Sequence, residues 1–111
     1  MIALYSEPRP FFATMIRHTV VFRLKHPAGS AAEQEFMNAA RELASIPGVE
    51  HFECLRQIGA KNAFTFGLSM EFADASAYQS YCVHHDHARF VQEIWLPEVA
   101  EFLEIDYAPL S

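Results

Sequence analysis

The sequence predicts one α+β domain in which helices cover a single face of a four-stranded antiparallel sheet. Two observations predict it. The hydrophobic period switches between two and about 3.6 residues along the chain, in the order β-α-β-β-α-(α)-β. The 111 residues suffice for one hydrophobic core and leave no room for a second.

From Ile16 to Leu24 the residues alternate: Ile16, His18, Val20, Phe22 and Leu24 point one way, and Arg17, Thr19, Val21, Arg23 and Lys25 the other. This is a half-buried strand with a histidine on its apolar side. His26-Pro27-Ala28-Gly29-Ser30 is a turn, and Ser30 with Glu33 has the spacing of a capping box. The period then becomes helical from Ala31 to Ser45, with Phe36, Ala39, Ala40, Leu43 and Ala44 on one stripe, until Ile46-Pro47-Gly48 stops it. A second strand is predicted over Val49–Ile58, with Phe52, Cys54 and Ile58 on its buried side. A third follows over Phe64–Phe72, with Phe64, Phe66, Leu68, Met70 and Phe72 inward. Asp74 caps a short helix from Ala75 to about Val83. His84-His85-Asp86-His87 interrupts it, and a further helix runs from about Asp86 to Trp95. Pro97 opens or bends a terminal helical piece, and Phe102–Tyr107 is the closing strand. This order is the split βαβ, ferredoxin-like arrangement.

Residues 1–14 are expected to be a poorly ordered arm ahead of the domain at 15–107, with 108–111 as a tail. The alternative is a start at Met15. The net charge is −6 with no basic cluster, which argues against nucleic acid as a partner. Nothing approaches the ~20 apolar residues of a membrane span. Two cysteines, Cys54 and Cys82, point to free thiols in a reducing, cytoplasmic setting rather than to a disulfide framework. Ten Phe, four Tyr and one Trp form a large aromatic supply for so short a chain. Helices on one face leave the other sheet face open, and apolar Val21 on that side predicts that a second copy covers it.

Several segments also carry a family likeness. His18-Thr19-Val20-Val21-Phe22-Arg23-Leu24 resembles the opening strand of the stress-responsive A/B barrel (Dabb) family, and Ile46-Pro47-Gly48-Val49 its turn before the second strand. Phe72-Ala73-Asp74, followed by Tyr81-Cys82-Val83-His84-His85-Asp86-His87-Ala88-Arg89-Phe90, resembles its F-x-D and Y-x-x-H-x-x-H-x-x-F signature. Ile105-Asp106-Tyr107 is similar to its last strand. The likeness spans Met15 to Tyr107 and departs at His85, where the family commonly has proline. It implies a dimeric α/β barrel, a homodimer joined through the open sheet faces. It further implies that His18, Tyr81 and His87 match the strand histidine, tyrosine and second signature histidine of cofactor-free plant polyketide cyclases. A further cyclase histidine falls at or near Phe66, so that position is not kept.

A buried imidazole is held neutral by desolvation and can accept a proton, and a phenol can donate to a developing enolate oxygen. His18, Tyr81 and His87 are therefore the candidate catalytic set, acting without cofactor or metal on a small hydrophobic carbonyl or aromatic compound. The bland alternative is that they only satisfy a semi-polar core. His84, His85 and His87 lack a metal-site spacing, and His84 and Asp86 fit helix capping better. Cys82, at a helix C-terminus, is a poor nucleophile. Three readings follow: a ligand-binding or cyclase/lyase-type enzyme, a cofactor-independent monooxygenase, and a non-catalytic stress-associated dimer filled by its own Phe side chains. The enzyme readings expect a modest cavity lined by His18, Tyr81 and His87.

Overall fold

A computed structural model describes residues 14–110. The expected N-terminal arm lies outside the described residues except for Thr14. The elements are β1 (Ile16–Leu24), α1 (Ala31–Arg41), β2 (Glu50–Arg56), β3 (Phe66–Phe72), α2 (Ala75–Val83), α3 (His85–Phe90), α4 (Leu96–Glu98) and β4 (Val99–Tyr107). A 3₁₀ turn at Glu42–Ser45 extends α1, and a π turn at Val91–Trp95 joins α3 to α4. The strands form one antiparallel sheet in the order β2-β3-β1-β4. This is the predicted ferredoxin-like α+β arrangement. Among the described residues, no helix is long and apolar enough to cross a membrane.

The core lies between the inner sheet face and the helices. Val20 and Phe22 of β1, Leu68, Met70 and Phe72 of β3, and Phe36, Ala40, Tyr78, Tyr81 and Trp95 of the helical layer are all buried. Trp95 is its centre, with ring centroids 4.9 Å from Phe22, 6.0 Å from Phe36 and 5.5 Å from Phe102. Ser30 Oγ accepts from the Glu33 amide at 3.2 Å, and Glu33 reaches back to the Gly29 amide, one residue earlier than a standard capping box.

Four boundaries differ from expectation. The helix expected to run unbroken to Trp95 widens into a π turn. Phe90 and Trp95, five residues apart, are both buried, and a 3.6-residue period would turn one of them away. β2 ends at Arg56, so Ile58 is not an inward residue but 99 % exposed. Inside β2, His51 adopts φ 51° and the pairing slips between Glu50 and Glu53, a bulge that blurs simple alternation. β3 begins at Phe66 rather than Phe64, and β4 begins three residues early, at Val99, which pairs with Leu24.

Among the described residues, no helix lies on the outer sheet face. Leu55, Gly67, Val21 and Leu103 are register neighbours and make one apolar row across all four strands. Ile105 and Tyr107 extend it along β4, and Leu55, Leu103, Ile105 and Tyr107 are all exposed. Ion pairs Arg17–Glu71 and Arg23–Glu101 flank the patch at its two ends.

Candidate functional site

His18 stands in the middle of β1 on the inner face, opposite Met70 of β3 and Asp106 of β4. Strand alternation puts it among Ile16, Val20 and Phe22, and it is completely buried. Its Nδ1 lies 2.6 Å from Asp106 Oδ1. Tyr78 of α2 donates its hydroxyl to the other carboxylate oxygen at 2.7 Å and also lies 3.1 Å from His18 Nδ1. A carboxylate can only accept, so a ring proton sits on Nδ1 and Nε2 faces inward. Burial raises the Tyr78 hydroxyl far above its ordinary range, with the Asp106 carboxylate adding to the effect.

His87 enters from α3. Helix α2 ends at Val83, His84 Nδ1 accepts from the Asp86 amide at 3.1 Å to start α3, and the tight join swings His87 into the core. The expected capping role of His84 is observed, while His85 stays at the surface. His87 Nδ1 donates to the Cys82 carbonyl at 3.2 Å, which leaves Nε2 as a bare acceptor. Burial pushes the His87 imidazole down to about 4, so it is neutral at pH 7.

Tyr81 lies between the two histidines, its ring centroid 4.5 Å from His87 and 6.2 Å from His18. Burial drives its hydroxyl far upward, so it remains a donor. His18 Nε2, Tyr81 Oη and His87 Nε2 are all buried with no hydrogen-bond partner among the described residues. Leaving such an atom unpaired costs about 1–3 kcal/mol. The three atoms thus share a buried interior and do not satisfy one another.

The fold therefore brings the three expected residues together, and it adds two that sequence reasoning misses. In the sequence Asp106 is only part of a closing strand, and Tyr78 carries no signal of its own. Desolvation of the first-strand histidine does not by itself reveal the carboxylate that meets it. The available signal is the pairing of β1 with β4, which sets residue 18 against residue 106. Phe66, at the position where the cyclases have another histidine, is buried against Phe22. Arg89 pairs with Asp86 at 3.1 Å and Arg56 sits over the Phe66 ring at 5.1 Å. Cys54 and Cys82 are free thiols, and burial raises the Cys82 thiol to about 11.

The expected cavity is a different matter. A cleft of about 290 Å³ lies between α1 and α3, walled by Leu43, Ile46, Phe90 and Ile94 with Glu42 and Arg89 at its rim. Another, of about 250 Å³, lies at the β2–β3 end of the sheet beside Val21, Leu55 and Phe64. Neither touches His18, Tyr81 or His87. Asp106, 27 % exposed, links the buried His18 imidazole to the β4 edge.

Comparison with known proteins agrees with the fold. Residues 16–109 match the family described as Stress responsive A/B Barrel Domain. A curated relative is a stress-response A/B barrel domain-containing protein of Arabidopsis thaliana, 30 % identical over 117 residues. The match covers 96 % of this chain and 44 % of that protein, so the chain spans less than half the length of this relative. Among solved structures, a Dabb family protein with a ferredoxin-like fold from Mesorhizobium loti is 56 % identical with a TM-score of 0.86, over 88 % of this chain and 99 % of that one. A dimeric ferredoxin-like protein from Thermobifida fusca is 21 % identical (TM-score 0.74, 93 % and 99 % covered). A hydroxynitrile lyase from Passiflora edulis is 16 % identical (TM-score 0.77, 87 % and 94 % covered). The last two likenesses concern the fold.

Proposed function

Because the chain belongs to the stress-responsive A/B barrel domain family, we propose that it works as a cytoplasmic homodimer, joined through its outer sheet faces, that binds a small hydrophobic carbonyl or aromatic compound between sheet and helices. The observation that carries the ligand site is the set of three buried, unpartnered polar atoms of His18, Tyr81 and His87. A carbonyl compound satisfies all three types of group at once. The Tyr81 hydroxyl donates to the carbonyl oxygen. His87 Nε2, neutral at pH 7, takes a proton from the adjacent carbon or from a hydroxyl, and His18 Nε2 accepts from a second polar hydrogen. Asp106 and Tyr78 hold His18 in the tautomer this requires. Cyclase- or lyase-type acid–base chemistry of this kind calls for no organic cofactor.

One observation favours a second reading. The two clefts lie elsewhere and the three side chains are tightly packed, as in a non-catalytic dimer with a filled core. Titration with aromatic ketones and aldehydes, followed through the histidine ring signals by NMR, separates the two. The ligand reading expects saturable shifts at His18 and His87, and deuterium exchange at the carbon next to the carbonyl if acid–base chemistry operates. Silence at both rings would leave the filled core as the better account.

A further inference from the structure

Glu104 and Asp106 stand two residues apart on the inner side of β4, where register sets Asp106 opposite His18 and Glu104 opposite Val20. One donor atom from each of His18, Glu104 and Asp106 lies within 4.8 Å of the other two. The two carboxylates are unequal. Asp106 accepts from His18 and Tyr78. The Glu104 carboxylate, half-buried, has no hydrogen bond or ion pair among the described residues. Two carboxylates crowded against one imidazole are a donor set of the kind that holds a cation.

We propose that His18, Glu104 and Asp106 bind a divalent transition-metal ion of the zinc type, and that the ion switches the proton position on His18. One imidazole and two carboxylates are ordinary zinc ligands at about 2.0–2.2 Å, and three protein ligands leave a position for water. Asp106 reaches solvent, so the ion has a way in. An ion on Nδ1 takes the place of the proton that Asp106 now accepts, and the neutral ring then carries its proton on Nε2. The inward-facing atom changes from acceptor to donor. Ion binding itself stands on the geometry of the three ligands, and its consequence at Nε2 rests on the ligand-site reading above.

The test uses the full chain, stripped with a chelator and titrated with zinc chloride by calorimetry, with Glu104→Gln and His85→Ala alongside. The exposed group His84, His85 and Asp86 is a second place where zinc could collect, and His85→Ala controls for it. The expected result is one equivalent bound in the micromolar range, weakened at least about tenfold by Glu104→Gln and unchanged by His85→Ala. Nitrogen NMR of the wild-type ring should show the His18 proton leaving Nδ1 for Nε2 as zinc is added. No binding, equal binding by Glu104→Gln, loss in His85→Ala, or an unmoved His18 proton would each overturn the proposal. Zinc binding without any response to carbonyl compounds would sink the acid–base reading alone. A carbonyl response without zinc binding would sink the ion site alone.

Discussion

The two faces of the sheet bury or expose opposite chemistry in unexpected places. The helix-covered face is apolar except at one spot, where His18 meets Asp106 and looks toward Tyr81 and His87. The bare face should be polar, yet Leu55, Val21, Leu103, Ile105 and Tyr107 form a continuous apolar patch across it. A buried polar cluster and an exposed apolar patch are the two departures from ordinary patterning that carry information. The first is the site proposed above for a ligand, and the second is the surface proposed for the homodimer. Each face holds what the other would be expected to hold.

The largest expected effect breaks the outer face. Val21→Asp combined with Leu103→Glu places two charges in the middle of the apolar row, and light scattering should report the 12.6 kDa chain mass where the parent gives twice that. The inner face should keep its fold in this variant, since neither side chain points toward the helices. An unfolded variant, or a parent that is already monomeric, would break the assignment of this patch as the dimer surface.

The next effect lies on the inner face and depends on pH. His87 has a folded value near 4 and an ordinary unfolded value near 6.5, so the unfolded chain binds more protons between those limits. Stability is therefore complete above about pH 6.5 and falls as pH drops toward 4, by up to about 3 kcal/mol, then levels off. Denaturant melts at pH 7.5 and 4.5 should show this loss, and His87→Gln should flatten it. An equal slope in the variant would assign the acid sensitivity to other groups.

The smallest effect sharpens the site. Tyr81→Phe removes a hydroxyl that has no hydrogen-bond partner among the described residues, so stability should stay level or rise by about 1 kcal/mol while the carbonyl response is lost. A destabilisation of about 2 kcal/mol would mean that the hydroxyl is satisfied in the folded protein and that its role is structural.

The same contrast governs how much of the molecule is legible in advance. Strand β1 is readable residue by residue because a half-buried strand writes its faces into alternate positions, and His18 is visible as the odd member of its apolar set. Ser30 and Asp74 announce their helices through capping chemistry that needs only neighbours in sequence. β4 is harder, because it is an edge strand with apolar residues on both sides: Phe102 inward, Leu103 and Ile105 outward. Its start at Val99 and the inward aim of Asp106 follow from pairing with β1. The π turn before Trp95 arises from the need to bury Phe90 and Trp95 together.

Periodicity and caps are properties of neighbouring positions, so the α+β class and the order of elements are legible without any tertiary contact. His18, Tyr81 and His87 were legible through the family likeness of the segments that carry them. It took the folded arrangement to show that Asp106 and Tyr78 hold His18, that Glu104 stands beside them, and that neither cleft opens at the three expected residues. Those facts depend on contacts between positions as far apart as 18 and 106. The register of β1 on β4 and the packing of α2 over both make those contacts, and no local pattern encodes the distances that result.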